Sequence, residues 1–300
     1  MNEVEFNGLG VAKKVSVPSS WSELSTRQVR WIFREYDSCL LKSASPLEFN
    51  VRVLYYLLGV RLTLKGALYD VVFKGKPGQR DENVYLMCER LLKFLFSEIQ
   101  DDKGVVALTF DALENPLPWV RVGWRRLIGP SALLQDLTFG EFRHAADALN
   151  AFFRSKKIGD ISECIAILYR PRSRHPNRAG RAVEPASPSL LERDSARAAR
   201  LPSWQKSLIM MWFSSCLHYL QTGEITINGE RVRMAEMFSS DAEDLSAPGF
   251  NWNDLLVEIA KEQSIGNISQ VDDESLYTVI SIMWHNFKER KRYESITKAH

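Results

Sequence analysis

Residues 135–148 read QDLTFGEFRHAADA, and this stretch has the pattern of a helix start. Thr138 is a good N-cap residue, and Glu141 follows three residues later, as in a capping box. Leu137 and Phe142 have the spacing of a hydrophobic staple, which fixes the angle at which the chain enters the helix. The stretch therefore predicts a helix that begins directly after Thr138.

The same residues allow a second interpretation, a catalytic turn built from Thr138, Glu141 and His144. If the first two side chains satisfy backbone donors of the helix, His144 is left alone on a polar face. Gly140 then lies in the first helical turn, where its low helix propensity costs less than in the interior. We favour the helix start and predict no catalysis here.

A second stretch, ELSTRQV at 23–29, matches DLTFGEF position by position: acid, Leu, Ser or Thr, two variable residues, Gln or Glu, then an apolar residue. Ser25 and Gln28 form the capping box, and Leu24 and Val29 form the staple. This pattern predicts a helix over 26–41. Further helices are predicted over 46–58, 82–99, 158–170, 189–201, 204–222, 252–263 and 273–296.

Three segments alternate apolar and polar residues as strands do. The first hairpin, near the N-terminus, would turn at Asn7-Gly8. The second would pair 105–110 with 119–124. The third, at 225–232, has Asn228-Gly229 at its centre, the strongest short turn signal in the chain. The predicted fold is therefore mainly α, a multi-helix globular domain with two or three small β-hairpins.

The segment 171–200 is rich in arginine and proline and has few apolar residues before Leu190. It predicts an exposed loop or linker between an N-terminal hairpin and helical domain, 1–170, and a C-terminal helical part, 201–300. Its flexible arginines are candidate contacts for nucleic acid or an acidic partner. These residues are Arg172, Arg174, Arg178 and Arg181.

A second candidate contact is the stretch WVRVGWRR, in which two tryptophans border arginines. Bases can stack on exposed indole rings beside arginines. The alternative, which we favour, is a half-buried strand with an exposed edge. The residues concerned are Trp119, Arg121, Trp124, Arg125 and Arg126.

No sequence motif for catalysis, a cofactor or a metal ion is found, and we expect none of the three. The histidines do not cluster, and the four cysteines, which are far apart in apolar helical contexts, are expected to be buried thiols. The net charge of +2 means that any nucleic-acid binding needs a local patch. We see neither a signal peptide nor a membrane span, and we expect a cytosolic protein.

Several stretches occur in a recognisable order along the chain: VPSSWSELSTRQV, NPLPWVRVG, LTFGEF, IAILYRP and LERDSARAARLP, before a final W…L…EIA helix. This order resembles helical proteins encoded in the tail-gene regions of tailed bacteriophages, especially those of Bacteroidetes-type hosts. Such proteins are grouped with tail assembly chaperones and baseplate-hub assembly factors. The resemblance covers most of residues 11–290.

The resemblance implies a non-enzymatic tail morphogenesis protein of the host cytoplasm, with no cofactor and no metal. Its partner would be another phage tail protein, such as a tape measure or hub component. One alternative is a structural component of the virion, at the baseplate or neck. A second is a nucleic-acid-associated protein that uses the arginine-rich loop.

Overall fold

A computed structural model describes residues 1–8, 11–41, 46–59, 77–98, 106–227, 229–238 and 267–298. Within these ranges the chain forms ten α-helices and nine short strands, and the strands make only small antiparallel sheets. The predicted fold class, mainly α with small β-hairpins, is confirmed.

The chain divides into two compact units, 1–112 with 203–211, and 113–202 with 212–300. The division thus lies at 112/113 and inside one long helix. It does not fall at 171–200, because that segment is hydrogen-bonded within the second unit.

The first unit begins with an antiparallel hairpin, and its helices pack around an aromatic core. The ring of Trp21 lies 5.9 Å from that of Phe33 and 4.9 Å from that of Phe110. All three side chains are buried. The elements are β1 Asn2–Gly8, β2 Val11–Val17, α1 Thr26–Leu41, α2 Pro46–Leu57, α3 Pro77–Leu92, β3 Phe96–Glu98 and β4 Val106–Leu108.

The second unit combines a three-stranded sheet, of order β5-β6-β7, with a group of helices. Its strands are β5 Trp119–Val122, β6 Arg125–Ile128, β7 Arg170–Pro171, β8 Glu224–Ile227 and β9 Glu230–Arg233. Its helices are α4 Phe139–Ser155, α5 Ile158–Leu168, α6 Pro188–Ala198, α8 Met234–Phe238, α9 Ile268–Asp273 and α10 Leu276–Lys298. Helix α7, Ser203–Thr222, contributes its first residues to the first unit and the rest to the second.

Both predicted capping boxes are confirmed. Ser25 N donates to Gln28 Oε1 at 2.8 Å, and Gln28 N donates back to Ser25 Oγ at 3.3 Å. At the second start, Glu141 N donates to Thr138 Oγ1 at 3.3 Å, and Thr138 N donates to Glu141 Oε2 at 3.4 Å. Each box satisfies backbone donors that a helix start otherwise leaves unpaired.

The structure explains why residue 140 is a glycine, which the sequence pattern does not. The segment 137–139 pairs with 274–276: Phe139 N donates to Glu274 O at 2.8 Å, and Leu276 N donates to Leu137 O at 3.0 Å. A Cβ atom on Gly140 would lie only 2.9 Å from Asp272 Cβ and 3.1 Å from Asp272 O. Glycine is therefore needed because α9 lies directly against the start of α4.

The helices predicted over 26–41, 46–58, 158–170, 189–201 and 204–222 are confirmed as α1, α2, α5, α6 and α7, each beginning within one residue of the predicted start.

Three other helix predictions fare differently. The helix expected over 82–99 is wrong at its end, because α3 stops at Leu92 and Phe96–Glu98 pairs with Val106–Leu108. The one expected over 273–296 is preceded by a separate short helix, α9. The helix expected over 252–263 lies outside the described residues.

The hairpin predictions fared unevenly. The strands of the 225–232 hairpin are confirmed, with Ile227 paired to Glu230 and Gly229 at φ +82°, while Asn228 lies outside the described residues. In the first hairpin Asn7-Gly8 belongs to the strand, because Gly8 pairs with Val11, so the predicted turn is wrong.

The predicted pairing of 105–110 with 119–124 is wrong as well. Strand β4 pairs with β3, and β5 pairs with β6 across a turn at Gly123, whose φ is +59°. Strand β5 therefore pairs with a neighbour closer in sequence than the predicted one. Strand β4 pairs with a segment that was predicted to be helical.

Candidate functional site

The second unit contains a half-open pocket of about 480 Å³. We call it the acidic groove. Its apolar lining residues, which we call the floor, are the buried Ala148, Ala166 and Ile167, the half-buried Leu191, and the exposed Ala151, Pro185 and Ala186. Its acidic rim consists of Asp147, Asp160, Glu163 and Asp194, and its remaining lining residues are Glu141, His144, Arg170 and Ser187.

Three helices build the groove, and helical spacing explains which residues face it. On α4 the lining residues are His144, Asp147, Ala148 and Ala151, which recur every three or four positions and so share one face. Helices α5 and α6 each contribute a matching face. Small side chains on α4 and α5 leave the space open, and the four acids among the lining residues are half-buried.

The rim acids differ in how far they are neutralised. Asp194 accepts from Arg197 at 2.6 Å and from Arg193 at 3.1 Å, within its own helix. Asp160 accepts a hydrogen bond from the Ser155 hydroxyl, which carries no charge. Glu163 lies half-buried on α5. The rim therefore offers negative charge beside an apolar floor.

A buried charge cluster borders the groove through Glu141 and Arg170, which both line it. Glu141 is 7% exposed and forms an ion pair with Arg170, which is 4% exposed. Arg181 Nη1 lies 3.8 Å from Glu141 Oε2, and Asn177 Nδ2 donates to Glu141 Oε1 at 3.3 Å. The carboxylate of Glu141, which caps α4, is thus also the counter-ion of two buried guanidinium groups.

Arg181 is the most deeply held of the candidate arginines. Its Nη2 donates to Ile128 O at 2.6 Å and to Leu168 O. Burial, together with the positive charge of Arg170, lowers the pKa of Arg181 to about 10, so the guanidinium stays charged at neutral pH. Its role in this structure is to hold the loop against the sheet.

The arginine-rich segment is consequently ordered by specific bonds, unlike the exposed linker that its composition predicted. Ser173 N donates to Ala182 O at 3.0 Å, and Asn177 N donates to Arg181 O at 2.8 Å. Arg178 forms an ion pair with Glu274 at 2.7 Å. The composition of the segment predicted solvated arginines, because the buried partner of Arg181, Glu141, lies far away in the chain.

Of the four candidate arginines in this segment, Arg172 and Arg174 are exposed, whereas Arg181, only 3% exposed, is not available for an outside partner. The prediction that Arg181 contacts an outside partner is therefore wrong.

The WVRVGWRR stretch forms the β5–β6 hairpin. Val120 and Leu127 are buried, as the half-buried strand interpretation predicted. Trp119 is 39% exposed, and the guanidinium of Arg126 stacks on its ring at 4.5 Å from the centroid. Trp124 stands in the turn and is fully exposed. The hairpin thus has an apolar side and a cationic, aromatic side.

The residues of the proposed catalytic turn carry the structural roles described above, Thr138 as N-cap and Glu141 as cap and counter-ion. His144 is exposed, with Nε2 3.3 Å from Arg143 Nη2. The part of the chain that the structure describes contains no group of three or more His, Cys, Asp or Glu side chains placed to hold a metal ion. Nor does any described helix have the length and apolarity needed to cross a membrane.

The four cysteine thiols are buried, as predicted: Cys39, Cys88, Cys164 and Cys216. Burial raises the pKa of Cys88 to about 11 and that of Cys216 to about 12. It also raises the pKa of Cys164. Thiols that ionise so reluctantly are poor nucleophiles at neutral pH.

Comparison with known proteins gives no relative: no family model matches the chain, and neither a curated protein nor a solved structure matches it. The described geometry is that of a mainly helical protein with an open, acid-lined groove. The chemistry of its lining residues determines which ligands the groove can accept.

Proposed function

We propose that the chain is a non-enzymatic phage tail morphogenesis protein that binds another tail component in the host cytoplasm, as an assembly chaperone does. The observation that carries the binding role is the acidic groove, with its apolar floor and its rim of carboxylates. The assignment to tail assembly comes from the resemblance of the ordered stretches along the sequence.

The groove fits a segment with both apolar and basic side chains. An amphipathic helix that enters a groove buries its apolar residues on the floor and leaves its polar face outward. Lysines or arginines beside those apolar residues would meet Asp160 and Glu163. Such charge pairing speeds encounter and selects the partner more than it adds affinity. We therefore propose a basic amphipathic segment of a tape measure or hub protein as the client.

The test is co-expression of the chain with the phage's tape measure or hub protein, followed by measurement of the client's soluble fraction and of co-purification. Glu163→Arg reverses one rim charge, and Ala151→Trp fills the floor. Glu192→Arg makes the same charge change at an exposed position of α6 outside the groove and is the matched control. We expect both groove variants to lose the client and the control to retain it. Equal binding by all three folded variants would refute the groove as the client site.

Mass spectrometry of purified particles distinguishes the chaperone from a structural virion component. A chaperone leaves its client before the particle is complete, so we expect the chain in infected cells and not in mature particles. A fixed copy number in the mature particle would replace our proposal with the baseplate or neck alternative.

A further inference from the structure

The three-stranded sheet carries arginines side by side across its strands. Arg121 on β5 is paired directly with Arg126 on β6. Strands β6 and β7 pair Ile128 with Arg170 and Leu127 with Pro171. Arg172 follows β7 directly, one residue beyond this pairing, and its own backbone bridge is to Val183. Cross-strand neighbours share a face of the sheet, and adjacent strands lie about 4.8 Å apart. We call these three residues the arginine row.

Within the described ranges, no acidic side chain forms an ion pair with the arginine row. All three side chains are exposed, and among the residues that the structure describes none of them has a carboxylate oxygen within 4.0 Å. Like charges directly opposite each other destabilise a strand pair. Adjacent arginines that repel each other destabilise the sheet. We expect such a pair where it binds an anionic ligand, because the ligand's negative charge offsets the repulsion.

The second hairpin of this unit shows the ordinary arrangement. On β8–β9, Arg231 and Arg233 lie 3.6 Å and 3.9 Å from the carboxylate of Glu224. Both arginines are highly exposed, with 82% and 69% of each side chain accessible. This hairpin has the same exposed cations but supplies their counter-charge itself.

Flat aromatic surfaces accompany the arginine row. Trp124 stands at the tip of the β5–β6 hairpin with its indole fully exposed. Trp119 is stacked under the guanidinium of Arg126. Indole rings and guanidinium planes are the surfaces on which unpaired bases stack, while arginines hold the phosphates.

We propose that the arginine row, with Trp119 and Trp124, binds single-stranded nucleic acid. Phosphate groups bind the three guanidinium groups, and bases stack on the two indoles. An acidic protein segment would satisfy the arginines but would give no reason for a fully exposed tryptophan at the tip. The surface shares no residue with the acidic groove, so this inference does not depend on the proposed tail-assembly function.

The probe is a fluorescently labelled oligothymidine of 20 nucleotides, whose binding is followed by anisotropy at several salt concentrations. Each phosphate contact with a single strand contributes about 0.7 to the slope of log K against log salt, so three arginines give a slope of about −2. We expect Arg121→Ala/Arg126→Ala to flatten the slope by about 1.4 and to lower affinity at least tenfold. Trp124→Ala should lower affinity about tenfold with the slope unchanged, because stacking carries no counterion release.

Arg231→Ala/Arg233→Ala is the matched control, since it removes two exposed arginines from the other hairpin and changes the net charge equally. It should leave affinity and slope as in the wild type. Circular dichroism confirms that each variant is folded, and Trp124 is too exposed for its removal to unfold the sheet.

Three results would overturn the proposal. The first is no binding by the wild type at low salt. The second is an equal loss in the two double variants, which would indicate attraction by net charge alone. The third is an unchanged affinity in Trp124→Ala together with equally tight binding of polyglutamate, which would assign the row to an acidic protein partner.

Discussion

Replacement of Gly140 by alanine tests how α9 lies against the start of α4. In most helices Gly→Ala stabilises the protein by about 0.4–1 kcal/mol, because alanine restricts the unfolded chain. Gly159 gives the matched comparison: it is likewise the second residue of its helix, α5, and a Cβ atom there would have no heavy atom within 4 Å. We expect Gly159→Ala to stabilise the protein by this amount.

At Gly140 the sign should reverse. The new Cβ atom would lie 2.9 Å from Asp272 Cβ, and ordinary van der Waals contact requires about 0.5 Å more. Asp272 cannot easily move away, because its carboxylate is held by Arg143 at 2.8 Å and two backbone hydrogen bonds join 137–139 to 274–276. Overpacking of this kind costs about 1–3 kcal/mol. Since the helix gain of about 0.4–1 kcal/mol offsets part of this cost, we expect Gly140→Ala to lose about 1 kcal/mol.

Thermal and urea unfolding of the two alanine variants measure this difference. A loss of 1 kcal/mol corresponds to a fall in Tm of about 2–4 °C for units of this size. The decisive quantity is the difference in unfolding free energy between the two variants. We expect it to equal the overpacking cost, about 1–3 kcal/mol, because the helix gain is common to both variants and cancels. If Gly140→Ala stabilises the protein as much as Gly159→Ala does, the close approach of Asp272 is wrong.

Three further predictions concern buried or constrained groups. Glu141→Gln should lower the free energy of unfolding by about 3–5 kcal/mol, because it leaves two buried guanidinium groups without their carboxylate. A loss under about 1 kcal/mol in urea unfolding would contradict the role of Glu141 as their counter-ion. Gly229→Val should cost about 1–2 kcal/mol, because φ is +82° there, and an unchanged Tm would contradict this turn. At pH 8, iodoacetamide should label Cys88 at least about 100-fold more slowly than an exposed cysteine. The labelling rate should rise about tenfold per pH unit towards the Cys88 pKa of about 11. Fast labelling of the folded protein would contradict the burial of Cys88.

The parts of this fold that the sequence predicts are those decided by neighbouring residues. Helix α1 begins after Ser25 because Ser25 and Gln28 satisfy each other's backbone donors within one turn. The β8–β9 strands follow from alternating apolar residues around a glycine that tolerates positive φ. Such local preferences act before any tertiary contact forms.

What the sequence does not predict depends on residues far apart in the chain. Arg181 looked solvated because its carboxylate, Glu141, comes from a different helix. The arginine row requires β7 to pair with β6, a contact that no short pattern signals. The acidic groove likewise exists only where faces of α4, α5 and α6 meet.

Site-specific crosslinking from the groove floor tests most directly whether the groove binds a tail component. A photoreactive phenylalanine analogue at Ala151, introduced into the chain during phage infection, would bond to whatever segment lies in the groove, and mass spectrometry would identify that segment. The same analogue at Phe153, which is 45% exposed on the same helix but does not line the groove, is the control. We predict that Ala151, and not Phe153, crosslinks to a basic amphipathic segment of a tape measure or hub protein. Equal crosslinking from both positions, or crosslinks from Ala151 only to proteins unrelated to the tail, would contradict the proposal.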